Sequence, residues 1–144
     1  VLIVGDDIDA DEPNTIYLEG VKINAKGIET NKTTIDTTDA TPTDAITIPI
    51  PQSQCVTIDV ICNALQTDNS QGLGNNLIGT YRNDAGTVKV IGAATTVYKH
   101  SDFSASGISF TISSEDVIVS VTGEAATDIR WQLTYKTTSA SVEI

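Results

Sequence analysis

The sequence predicts an all-β fold: an antiparallel β-sandwich, jelly-roll or Ig-like, of about seven to eight strands with an extended N-terminal segment. Three observations predict it. Thr is the most frequent residue and Ile and Val far outnumber Leu; β-branched side chains are stiff at χ1 and suit a pleated surface better than a helix. Several stretches alternate apolar and polar residues with period two, the mark of a strand wetted on one face. Ten Gly and four Pro punctuate the 144 residues, as short strands and turns require. Two packed sheets bury many one-faced strands most simply; an up-and-down barrel is the alternative.

The first 35 residues differ in kind from the rest. Val1 to Val4 is a short apolar run, followed by the acidic breaker from Asp6 to Pro13, and residues 15–23 alternate weakly. Segments this short make no core of their own. They are expected to act as an attachment or strand-exchange segment, on their own domain or on a neighbour, ahead of a sandwich domain at 36–144. Residues 30–43 are polar and Thr-rich and read as a connector with one β-capable centre at Ile35.

The first sandwich strand carries Ile46, Ile48 and Ile50 and is bounded by Pro49 and Pro51. Proline donates no ladder hydrogen bond, so this strand belongs at an edge. In residues 55–65, Val56, Ile58, Val60, Cys62 and Ala64 face one way, while Thr57, Asp59, Ile61 and Asn63 face the other. Residues 66–76 read as the longest loop. A hairpin is expected from 77–82 and 87–98 through Asn83-Asp84-Ala85-Gly86, with Gly92 marking a bulge or a close backbone approach.

Three further strands close the chain. Ile108, Phe110 and Ile112 form one apolar face, and a reversal at Ser114-Glu115-Asp116 leads to Val117, Val119 and Val121. The last strand buries Ile129, Trp131, Leu133 and Tyr135 against solvent-facing Arg130, Gln132, Thr134 and Lys136. Ile61 and Ile118 stand on otherwise polar faces and are candidate subunit contacts.

Charge excludes several functions. Eight Lys and Arg against 19 Asp and Glu give a formal net charge of −11, which repels phosphate backbones, so no nucleic-acid partner is expected. The chain has no basic amphipathic face and no apolar run near the ~20 residues that cross a bilayer, so no membrane partner is expected. No signal peptide is visible, and a chain beginning at Val1 is expected to be processed or partial.

Candidate chemistry is sparse. Asp7, Asp9 and Asp11 have the spacing that opens a calcium loop, but Glu12 stands where that loop needs Gly, and Leu18 where it needs a bidentate Glu. They are a weak calcium candidate; the bland reading is a solvated linker. Cys55 and Cys62 on one strand would be more than ~20 Å apart, beyond the reach of a disulfide, and free thiols fit a reducing compartment. One histidine, His100, with two cysteines makes no zinc site. The adjacent His100-Ser101-Asp102 is no triad, because neighbouring side chains diverge. Nineteen acids leave carboxylate pairs open on counting alone, yet Trp131 is the only Trp and lies on an apolar face. Tyr81, Tyr98 and Tyr135 are the candidate sugar platform if the chain is instead a carbohydrate-binding or adhesin module. No catalytic residue, cofactor or firm metal site is expected.

Three stretches carry a resemblance. They are Thr37-Thr38-Asp39-Ala40-Thr41-Pro42-Thr43 before the proline-bounded strand, Tyr81 to Gly92, and Val117 to Thr122 followed by Gly123-Glu124-Ala125-Ala126-Thr127-Asp128-Ile129-Arg130-Trp131. Over about 36–136 this order resembles a β-sandwich domain near the ends of tailed-phage fibre, spike and head-fibre proteins. The resemblance implies a virion structural protein made in the host bacterial cytoplasm. It also implies a homotrimer that contacts other virion proteins and, in some cases, host-surface glycan, with no catalytic residues. Gly123 is expected to take positive φ where the chain turns.

Overall fold

A computed structural model describes residues 28–142. The candidate calcium ligands Asp7, Asp9 and Asp11, with most of the N-terminal segment, lie outside the described residues. Among the described residues, nine strands form two antiparallel sheets packed as a sandwich. They are β1 (Ile28–Thr37), β2 (Thr43–Pro49), β3 (Gln54–Gln66), β4 (Gly72–Asp84), β5 (Thr87–Val90), β6 (Thr95–Ser101), β7 (Gly107–Ser113), β8 (Asp116–Thr122) and β9 (Ile129–Ser141). The large sheet runs β1-β9-β3-β4-β5, with β6 also paired to β4, and the small sheet runs β2-β8-β7.

The core forms where the two inner faces meet. From β3 come Val56, Ile58, Val60, Cys62 and Ala64, from β9 Ile129, Trp131 and Leu133, and from β8 Val117, Val119 and Val121; all are buried. Each of the Val, Ile and Leu side chains contributes roughly 1.5–3 kcal/mol on leaving water. Cys62 behaves as a small hydrophobe, and burial pushes its thiol pKa up to about 12. On β3 it pairs with Leu133, and Ala64 pairs with Trp131. Ile108, Phe110 and Tyr135 are only partly buried against this core.

Ile112 corrects its expected place in the core: it is 43% exposed. It pairs with Val117 at the hairpin end of β7, and β7 is the outer strand of the small sheet. The proline-bounded β2 is the other outer strand of the small sheet, as its prolines require.

The Thr-rich connector is in fact a strand. β1 pairs with β9 in unbroken register from Ile28↔Thr138 to Thr37↔Ile129, crossing the boundary expected at residue 36. Only Ile35, opposite Trp131, is apolar on its inward face, so no alternation announces it. β4 likewise begins at Gly72, inside the stretch read as a loop, and the real loop is residues 67–71.

The expected hairpin partner of β4 is split. Asp84 and Thr87 pair across a two-residue turn in which Ala85 and Gly86 both have positive φ, 51° and 87°, the geometry that suits strand twist. Between the pairs Tyr81↔Val90 and Ile78↔Thr95, β4 advances three residues and its partner five. The extra length is the excursion at Gly92, φ 71°, which separates β5 from β6. The Ser114-Glu115 reversal is also a two-residue turn, with Ser113 paired to Asp116.

Two asparagines tie the sheets together. Asn83 donates from Nδ2 to the Ile50 carbonyl at 2.7 Å and to Glu115 Oε1 at 3.0 Å, and its Oδ1 accepts from the Gly86 N–H at 2.9 Å. Asn75 donates to the Tyr98 carbonyl at 3.0 Å and accepts from the Ile108 N–H at 3.4 Å. At Gly79 the inner face is bare: a Cβ there would lie 2.9 Å from Phe110, so the missing side chain lets β7 pack onto β4.

Candidate functional site

Antiparallel register fixes which side chains share the outer face of the large sheet. Near one end, a row reads Asp36 on β1, Arg130 on β9, Leu65 on β3 and Gly72 on β4. The next reads Thr34, Gln132, Asn63, Gly74 and His100 on β6, and the one after it Lys32, Thr134, Ile61, Asn76 and Tyr98. Because β4 contributes Gly at two successive outward positions, the sheet surface sinks between β3 and β6. A trough of about 880 Å³ results, lined chiefly by Asn63, Leu65, Gly72, Gly74, Arg130 and Gln132.

Two stacked rings stand next to the trough, beside Gly74. Tyr98 and His100, two apart on β6, stack with ring centroids 5.7 Å apart and planes at 20°. Tyr98 passes over Gly74, where a Cβ would lie 3.7 Å from its ring and 3.5 Å from Asn63 Oδ1. Asp102 fastens β4 at Gly72: its Oδ2 accepts from the Gly72 N–H at 3.0 Å while its own N–H donates to the Gly72 carbonyl at 2.9 Å. Of the three tyrosines named from sequence, Tyr81 is buried at 3% exposure and Tyr135 is half-buried on the inner face. Tyr98 alone fronts the outer surface.

Arg130 and Asp36 form a two-point ion pair at 2.9 and 3.1 Å on this face. The guanidinium hydrogen bond holds the Asp36 carboxyl below its usual range and raises Arg130 in return. The pair is well exposed, so its worth to stability is small.

A second cavity, about 530 Å³, lies at the opposite end of the sheet, lined by Cys55, Arg82, Asn83, Ala140 and Val142 among others. Cys55 is half-buried and free. It lies beside Arg82 on the neighbouring strand.

The His100-Ser101-Asp102 run is spread out by strand geometry. His100 stacks on Tyr98, Ser101 Oγ bonds the backbone of Phe103, and Asp102 holds Gly72. Other carboxylates are also committed to structure: Asp59 to Asn76, Asp44 to Ser120, Glu124 to Ser104, Asp84 to Lys89. Hydrogen bonds from Ser70 hold Asp68 below its usual pKa, and Lys89 does the same for Asp84. These lowered carboxyls are the reverse of a general acid kept protonated near neutrality. Among the described residues no group of three or more His, Cys, Asp or Glu is placed to hold a metal ion, and no helix is long and apolar enough to cross a membrane.

The stretch from Gly123 to Trp131 forms a packed corner. Gly123 does not take positive φ, contrary to expectation; that conformation falls to Ala126, φ 53°. The glycine is needed for close approach instead, since a Cβ on it would lie 2.5 Å from Thr37 Oγ1 and 2.6 Å from the Asp39 carbonyl. The same Thr37 hydroxyl accepts from Trp131 Nε1 at 2.9 Å.

No protein-family model matches the chain, and no curated protein matches it in sequence. Among solved structures, the chain is similar to the tailspike protein of Acinetobacter baumannii phage AM24. The TM-score is 0.51 at 7% identity, over 81% of this chain and 27% of the tailspike. Tailspike gp49 of Acinetobacter baumannii bacteriophage Fri1, described as a capsular polysaccharide depolymerase, scores 0.47 at 11% identity, over 78% and 19% of the two chains. The tailspike of Acinetobacter phage vB_ApiP_P1 scores 0.43 at 11%, over 93% and 26%. The first likeness shows a shared fold; the other two are too slight to argue from. The match spans about a quarter of the AM24 tailspike's length.

Proposed function

We propose that this chain is a non-enzymatic structural protein of a phage virion, a fibre, spike or head-decoration component, that assembles as a homotrimer and contributes to host-surface attachment. The observation that carries the reading is the sandwich it shares with a phage tailspike over 81% of its length. The packed corner formed by Gly123, Thr37 and Trp131 adds support, because the stretch that resembles phage fibre domains makes it. Free Cys55 and Cys62 fit a protein made in the bacterial cytoplasm and carried on the virion.

Of the candidate subunit contacts, Ile61 faces out from the large sheet, and Ile118, between Thr47 and Thr111, faces out from the small one. Partners other than the trimer are further virion proteins and host-surface glycan.

The non-enzymatic part is tested by incubating the chain with bacterial capsular polysaccharide and measuring reducing ends. No release is expected. Release that disappears on changing a single Asp or Glu would overturn it. A second reading, a carbohydrate-binding or adhesin module of a bacterial surface protein, is favoured by one observation, the trough lined by Asn63 and Gln132 with Tyr98 beside it at Gly74.

A further inference from the structure

We propose that the trough over Gly72 and Gly74 is a binding site for a neutral oligosaccharide. The inference deepens the attachment part of the reading above and rests on it for its biological role, yet the site binds or fails to bind whatever the chain's oligomeric state.

Shape comes first. At about 880 Å³ the trough falls in the ~300–1,000 Å³ range of small-molecule sites. Its floor is backbone, because outward Cβ atoms at Gly72 and Gly74 would meet their neighbours only at 3.5 Å or more. Side chains would fit there without clash, so packing does not demand glycine, and their effect would be to fill the trough. This contrasts with Gly79 and Gly123, where a side chain would collide with the fold.

The lining chemistry selects the ligand. A pyranose ring has an apolar C–H face and a rim of hydroxyls that both donate and accept. Next to the lining, at Gly74, the Tyr98 ring, 36% exposed and braced by His100, offers a flat surface to the C–H face of a sugar that extends past Gly74. Leu65, 48% exposed across the trough, offers a second apolar contact. Asn63 and Gln132 are cross-strand neighbours, and their side-chain amides make no hydrogen bond among the described residues. Each can donate and accept, as vicinal hydroxyls require.

Charge then narrows the class. Arg130 is the cation that lines the trough, and Asp36 neutralises it. A chain of net charge −11 repels uronate- or sialate-rich polymers as it repels nucleic acid. A neutral sugar chain meets no such barrier.

The test is calorimetric titration of the full chain with neutral hexasaccharides of glucose, galactose and mannose, against hexagalacturonate as the anionic probe. At least one neutral probe is expected to bind. Tyr98→Ala and Gly74→Val should each weaken it by about tenfold or more, while Ile118→Ala on the opposite sheet leaves it unchanged. Asn63→Ala serves in place of Gly74→Val if that variant does not fold, as read by circular dichroism. Absence of binding to every neutral probe, affinity that survives in folded variants, or tighter binding of hexagalacturonate overturns the proposal. A trimeric mass alongside absent binding would remove the sugar site and leave the structural reading standing.

Discussion

Trp131 Nε1 donates a 2.9 Å hydrogen bond to Thr37 Oγ1 across 94 residues of sequence, with both groups buried. This bond fastens the outermost strand β1 to the centre of the core. Replacing Thr37 with Val keeps the shape but leaves the indole N–H without a partner. The expected loss is about 1–3 kcal/mol, read as a lower urea midpoint with an unchanged m-value.

Gly123→Ala should cost more than a surface change. Its Cβ would lie 2.5 Å from the same Thr37 hydroxyl and 2.6 Å from the rigid Asp39 carbonyl, so backbone has to move. About 1–3 kcal/mol is expected, as for other overpacked positions, and thermal unfolding measures it. Gly74→Ala, whose Cβ would meet Asn63 and Tyr98 only at ordinary contact distances of 3.5 and 3.7 Å, should shift the midpoint by much less.

These two glycines show how far the sequence could be read. Alternation identified β3, β8 and β9 because each has one buried and one wet face. β1 is hidden in the sequence because, Ile35 apart, the inward positions of this edge strand are polar and carry no apolar period; its β-branched composition is the available signal. Residues 72–76 read as a loop because glycine usually weakens a strand, whereas here two glycines lower the surface over the trough. Local sequence does not tell that Gly123 is held by close approach while Ala126 makes the turn, because the crowding atoms come from Thr37 and Asp39. Tyr98 was named, but its meeting with Asn63 and Gln132 depends on the register of four strands.

Core and edge isoleucines should separate cleanly. Ile58→Ala, at a fully buried position opposite Gly79, should cost about 2–5 kcal/mol. Ile112→Ser, at 43% exposure, should stay within about 0.5 kcal/mol for the isolated chain. Chemical denaturation of both variants checks the contrast.

Thiol labelling reports the two sides of β3. Cys62 is buried with its pKa raised to about 12, and only the thiolate attacks a disulfide reagent. Half-buried Cys55 lines the 530 Å³ cavity. At pH 8, Cys55 should react with an aromatic disulfide reagent in the native protein, and Cys62 only on unfolding. Raised above its unfolded value, the Cys62 pKa adds stability that is full below pH ~8.5 and declines as pH rises toward 12. Native Cys62 labelling as fast as Cys55 would contradict this burial.

Acid should weaken the fold through carboxyls shifted the other way. Arg130, Ser70 and Lys89 hold Asp36, Asp68 and Asp84 below their ordinary range. Their contribution is present above the unfolded value of ~3.9 and is lost as pH falls through the lower folded values. Thermal scans should show the midpoint dropping below about pH 4, with Asp36→Asn flattening part of that slope; an unchanged slope in that variant would deny the ion pair a role.

The most direct measurement is the mass of the purified chain by light scattering after size exclusion, across a concentration series. A self-assembling virion component predicts a stable particle of three chains, three times 15.2 kDa. A single 15.2 kDa species persisting at the highest concentration would contradict the account.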